Sequence, residues 1–106
     1  MSEKIRRLTA ALRQELAHIY GARLRGVYLF GSHARGTADA ESDVDVLVVL
    51  DHVQHYAAEV DRSGAIVSTL SLEYGVSISR VFVSERNWAE GRGGFLRKVR
   101  AEAVPA

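Results

Sequence analysis

The sequence predicts an α/β domain of the α+β type, a small sheet covered by helices on one face. Three observations predict it. An amphipathic stretch opens the chain, three short runs rich in β-branched and aromatic residues follow, and a long helical period separates the last two of them. The 106 residues fit one domain, 1–106, with one core.

Taken in order, residues Ser2 to Tyr20 read as helix, because Ile5, Leu8, Leu12, Leu16 and Ile19 form one apolar stripe. Ser2 suits the N-cap and Gly21 the terminator. Val27, Tyr28, Leu29 and Phe30 make a first strand ended by Gly31. A polar loop leads to Asp43 and Asp45, which open a second apolar run to Leu50. Asp51 is expected to close that strand and cap the next helix, where Val53, Tyr56, Val60, Val67, Leu70 and Tyr74 keep helical spacing. Gly64 interrupts this helix at about 1 kcal/mol relative to alanine, which suggests close packing or a kink. Val76 to Val83 alternates as a third strand, Ser84 to Trp88 turns into a short helix, and Phe95 to Glu102 is a final helix ended by Pro105.

Composition narrows the function. A net charge of +1 gives no argument for duplex DNA or an anionic membrane, so no specific DNA binding is expected. The absence of cysteine excludes disulfides and thiolate metal sites. There is no long apolar segment and the first residues are charged, so neither a membrane span nor a signal peptide is expected and cytoplasm is the expected compartment. His52 and His55 stand beside Asp51, but without a third ligand they read as a solvated helix start.

The chemistry concentrates between the first two strands. Gly31 lets the backbone approach a ligand, and Ser32 adds a hydroxyl beside the turn's amides, which suits phosphate oxygens. Arg35 can fork onto a phosphate, and Gly36 relieves the backbone after it. Asp43 and Asp45 fall on one face with Cα atoms roughly 6.5–7 Å apart. Such hard oxygen ligands suit Mg²⁺ completed by water and substrate phosphate.

The arrangement Gly31-Ser32-x-Ala34-Arg35-Gly36, five residues, then Ser42-Asp43-x-Asp45 resembles the signature of the nucleotidyltransferase superfamily that includes DNA polymerase beta. More narrowly it resembles the minimal nucleotidyltransferases, stand-alone domains near this length whose usual partner is a small helical HEPN-type protein. The resemblance implies a mixed sheet. It implies Asp43 and Asp45 as catalytic metal ligands for Mg²⁺ or Mn²⁺. Gly31, Ser32, Arg35, Gly36 and Ser42 become the residues that bind ATP or another nucleoside triphosphate. The implied reaction transfers a nucleoside monophosphate, AMP from ATP, to a hydroxyl on a HEPN toxin, which would make the chain an antitoxin.

One departure limits the analogy. Catalysing members carry a third carboxylate on the third strand, whereas this strand offers Ser77 and Ser79 with the cation Arg80 beside them. Glu73 and Glu85 flank it as substitutes in need of favourable geometry. The alternative is therefore a catalytically impaired module that binds nucleotide or masks its partner by contact, or a nucleotide sensor without chemistry. Trp88 and Phe95 are candidates either for a partner-facing surface or for core filling.

Overall fold

In the computed structural model, which describes residues 1–106, the first strand is longer than its four most apolar residues: β1 spans Leu24–Phe30. The second strand, β2 (Val44–Leu50), runs antiparallel beside it, with Leu29 opposite Val46 and Phe30 opposite Asp45. The third, β3 (Ile78–Ser84), lies parallel to β2 on its other side, with Ser79 opposite Asp45. A two-residue strand, β4 (Val104–Pro105), pairs antiparallel with β1. The order is β3-β2-β1-β4, a mixed four-stranded sheet as the resemblance implies. Pro105 stands where the helical pattern stops, yet it sits in this outer strand, a place that tolerates proline's missing N–H.

Two long helices occupy one face. Helix α1 (Glu3–Tyr20) begins at Ser2, whose hydroxyl oxygen accepts from the Ile5 N–H at 3.2 Å, and stops at Gly21. Its stripe of Ile5, Leu8, Leu12 and Leu16 packs with Val27, Leu29, Val46 and Val48. A short 3₁₀ turn (Gly21–Arg23) leads into β1. Helix α3 (Tyr56–Tyr74) connects β2 to parallel β3 and adds Val67 and Leu70 to the same core. It begins at Tyr56, later than the periodicity suggests, because Asp51 caps nothing downstream: its carboxylate accepts from Arg23 Nε at 3.0 Å and from the His52 N–H at 2.7 Å. The helix runs unbroken through Gly64, and nothing lies within 4 Å of where a Cβ would stand, so close packing is not the reason for that glycine.

The other face carries a smaller cluster that the sequence pattern did not place. Leu47, Val49 and Val83 pack with Val99 of α5 (Gly94–Glu102), flanked by Trp88 of α4 (Glu85–Glu90). The partly buried Trp88 packs on this cluster, its ring centroid 5.0 Å from that of Tyr28 and the Arg100 guanidinium over its ring at 5.7 Å. Phe95 is half exposed and meets the Phe30 ring edge-on. With both faces covered, β2 reads as a nearly continuous apolar run broken only by Asp45. No helix is long and apolar enough to cross a membrane.

Candidate active site

The turn after β1 is shaped by Gly31, at φ 76° and ψ −158°, a conformation that only glycine adopts readily. A Cβ at this position would stand 3.0 Å from the Asp45 Cγ and overlap Oδ2. The backbone of the Gly31–Ser32 turn therefore lies directly against the Asp45 carboxylate, which strand pairing delivers opposite Phe30. The four-residue helix α2 (Ser32–Arg35) follows, ended by Gly36 in the left-handed region.

These residues open onto a cavity of about 320 Å³. Gly31, Ser32, Arg35 and Asp45 line it from the sheet side, and Phe95, Lys98 and Glu102 of α5 line it from above. A larger hollow of about 420 Å³ lies between the start of α1 and the loop at residues 36–42, but it contains neither Asp45 nor the Gly31–Ser32 turn. Of the residues singled out from sequence, Gly31, Ser32, Arg35 and Asp45 come together in one cavity. Asp43 lies just before β2 and, with Ser42 and Ser77, lines a separate hollow. Gly36 and Ser42 stay outside the cavity. The Ser42 hydroxyl accepts from the Asp39 N–H at 3.0 Å and donates to Asp39 Oδ1 at 3.2 Å, so its visible work is closing the loop.

The electrostatics are those of an anionic pocket with a cationic wall. Burial pushes the Asp45 carboxyl above its ordinary value and the charge of Asp43 adds to the effect; His33 and Arg35 pull it back, and Glu102 raises it further. A cation would relieve this crowding of like charge. No three carboxylates or histidines converge as a ready-made metal cage. The donor set fits an ion held by one or two carboxylates and completed by water and phosphate, as Mg²⁺ prefers.

The strand beside Asp45 carries no acid. Ser79 stands opposite Asp45, and Glu85 lies six residues farther along, roughly 20 Å away by strand rise, where it pairs with Arg25. Arg80 does not face the pocket. It points to the α3 side, donating to the Ser63 hydroxyl at 2.7 Å and to the Val60 carbonyl at 2.8 Å, so it places no positive charge beside Asp45. A second carboxylate does reach the turn beside Asp45: Glu102, which carried no signal in the sequence, where it is one of several charges on a short amphipathic helix.

The family model for the nucleotidyltransferase domain matches residues 10–91. The chain belongs to that family. Among relatives of this nucleotidyltransferase domain, the Methanocaldococcus jannaschii protein named "Putative protein adenylyltransferase MJ0604" is 36% identical over 76 residues, covering 66% of this chain and 70% of its own. The solved structure of a "putative minimal nucleotidyltransferase" superposes with a TM-score of 0.62 at 28% identity, over 98% of this chain and 94% of that one. A toxin-antitoxin crystal structure with AMP-PNP shares the fold at a TM-score of 0.63 and 18% identity, over 89% of this chain and 68% of that one.

Proposed function

We propose that this domain transfers AMP from ATP to a hydroxyl on a small helical HEPN-type partner and so acts as its antitoxin. The observation that carries the reading is the Asp45 carboxylate set against the Gly31–Ser32 turn, with Arg35 in the same cavity. The adenylyltransferase name of the archaeal relative and the fold shared with a toxin-antitoxin structure containing AMP-PNP support it.

In this reading the Ser32 hydroxyl and backbone N–H bind the β- and γ-phosphates where the Gly31 turn brings them close, Arg35 forks onto their oxygens, and Asp43 and Asp45 are the residues that would hold Mg²⁺. The ion, when bound, offsets charge on the triphosphate and on the leaving pyrophosphate. The acceptor oxygen bonds to the α-phosphorus, the bond from that phosphorus to the bridging oxygen breaks, and the hydroxyl proton passes to solvent. Alignment and charge stabilisation carry the rate, since no side chain here is placed as a strong base.

A second reading has its own observation. Ser79 stands opposite Asp45 on the strand where the family resemblance implies an acid, which favours a module that binds nucleotide and masks its partner without transfer. Incubation with α-labelled ATP, Mg²⁺ and the product of the neighbouring gene separates the two. Label on the partner, lost with Asp45→Asn, supports transfer. Neutralisation of the partner that survives Asp43→Asn and Asp45→Asn, with no label, supports masking and rejects the enzyme.

A further inference from the structure

Glu102 reaches across 71 residues of sequence to the turn at the head of the cavity. One of its oxygens, Oε2, accepts both from the Gly31 N–H at 2.6 Å and from Arg35 Nη1 at 2.9 Å. Its side chain is only 13% exposed. The chain on either side is pinned. Val99, one helical turn earlier, is buried in the smaller core, and Val104 pairs with Leu29 in β1. The Ala106 N–H then donates to the Val27 carbonyl at 2.9 Å. The carboxylate is thus presented from a fixed frame.

The groups it holds are less well secured. Helix α2 has four residues and no side-chain cap, too short to be stable by itself. Arg35 is nearly half exposed, and Glu102 is its only carboxylate partner. A guanidinium has five N–H donors, so a single bond to Glu102 leaves the others available. The Gly31 N–H has one hydrogen, and Glu102 takes it.

We propose that Glu102 is a positioning residue for the phosphate cradle: it anchors the Gly31 turn through the backbone and turns the Arg35 guanidinium toward the space where the triphosphate would lie. The inference rests on the nucleotide reading above and adds the residue that organises that site. It also gives the C-terminal strand β4 a purpose, since pairing with β1 fixes the residue that follows α5 and with it the direction of Glu102. A carboxylate that merely filled the cradle in place of phosphate would make the same two bonds, but the two roles differ in the sign of their effect on affinity.

The test is a double-mutant cycle on the full chain. Isothermal titration with MgATP is run on the wild type, Glu102→Gln, Glu102→Ala, Arg35→Ala and the Arg35→Ala/Glu102→Ala pair, with melting curves to confirm folding. Glu102→Gln keeps an acceptor for the Gly31 N–H and loses the charge that orients Arg35. Both Glu102 variants are expected to bind MgATP about 5- to 10-fold more weakly, a loss that shrinks in the Arg35→Ala background to the share carried by the Gly31 anchor alone. Tighter binding by either Glu102 variant overturns the proposal in favour of a carboxylate that competes with phosphate. Equal weakening with and without Arg35 overturns it in favour of a purely structural role. If Glu102→Ala does not fold, the glutamine variant and its pair with Arg35→Ala decide by the same criteria. A wild type that fails to bind MgATP rejects the nucleotide reading itself, whereas a wild type that binds and Glu102 variants that match it reject this inference alone.

Discussion

Replacing Gly31 with alanine tests the contact on which the site depends. Two costs combine. An L-residue held at φ 76°, ψ −158° is strained by about 1–3 kcal/mol. The new Cβ would also stand 3.0 Å from the Asp45 Cγ, and moving that side chain off its rotamer costs roughly 0.5–1.5 kcal/mol. The sum, about 1.5–4.5 kcal/mol, is a large share of the ~5–15 kcal/mol typical of a domain. Gly36 supplies the control, because it too has positive φ, 77°, but nothing lies within 4 Å of its Cβ position. There only the left-handed backbone matters, at about 1–2 kcal/mol. With ~4–8 °C per kcal/mol for a domain near this size, Gly31→Ala is expected to melt roughly 6–36 °C below wild type and Gly36→Ala roughly 4–16 °C below it, the larger fall always in Gly31→Ala. Calorimetry in parallel with MgATP titration makes the comparison. Gly36→Ala retains nucleotide affinity and Gly31→Ala loses most of it. In an Asp45→Ala background the Gly31 penalty shrinks, since the collision has gone. Identical melting points for the two glycine variants, or strict additivity of Gly31→Ala with Asp45→Ala, would refute the geometry.

Three further outcomes are expected. Gly64→Ala, in an α3 interior with open space around it, stabilises the domain by about 0.5–1 kcal/mol; a lowered melting temperature would reveal a need for glycine that the structure does not contain. Leu8, fully buried between α1 and the sheet, destabilises by about 2–5 kcal/mol when cut to alanine, read as a fall in the urea midpoint at unchanged slope. The last outcome concerns pH. Burial alone would raise the Glu59 carboxyl, but hydrogen bonds from Arg23 and then Arg62 outweigh it and hold the group below 4.5. Its stabilising contribution is complete above 4.5 and is lost as pH falls through the lower folded value. Tyr20 behaves oppositely: burial, then the charge of Glu59, pushes its phenol up to about 12. That contribution is complete below 10 and is lost as pH rises from 10 to about 12. Denaturant titrations across pH should show both flanks. Glu59→Gln should remove the acid flank and Tyr20→Phe the alkaline one, and variants that leave the profile unchanged would contradict the assignment.

Much of the architecture was legible because it is written in local patterns. The α1 stripe needs only a period of 3.6, and β3 needs only alternation. The Gly31-Ser32 turn, Arg35 and Asp45 were legible as neighbours because they lie on one connection between antiparallel strands β1 and β2, whose pairing brings its two ends together. Alternation put Ser77 and Ser79 on one face of the third strand, but only the strand pairing set Ser79 opposite Asp45. Arg80 misled because a cation next in sequence to that face reads as a neighbour of the site, whereas its bonds to Ser63 and Val60 take it to the other side of the sheet. For Ser42 the motif names a position but not its bonds: the hydroxyl pairs with Asp39, three residues away.

By itself, the sequence determined the long helices and the three main strands, since each depends on a periodicity repeated over neighbouring residues. Only the tertiary structure decided that α5 covers the second face, that Val104–Pro105 adds a fourth strand to β1, and that Glu102 consequently meets Gly31 and Arg35. The reason is separation along the chain. A contact across 71 residues leaves no periodicity to read, and it exists only after the packing of Val99 and the pairing of Val104 have fixed the segment that carries it.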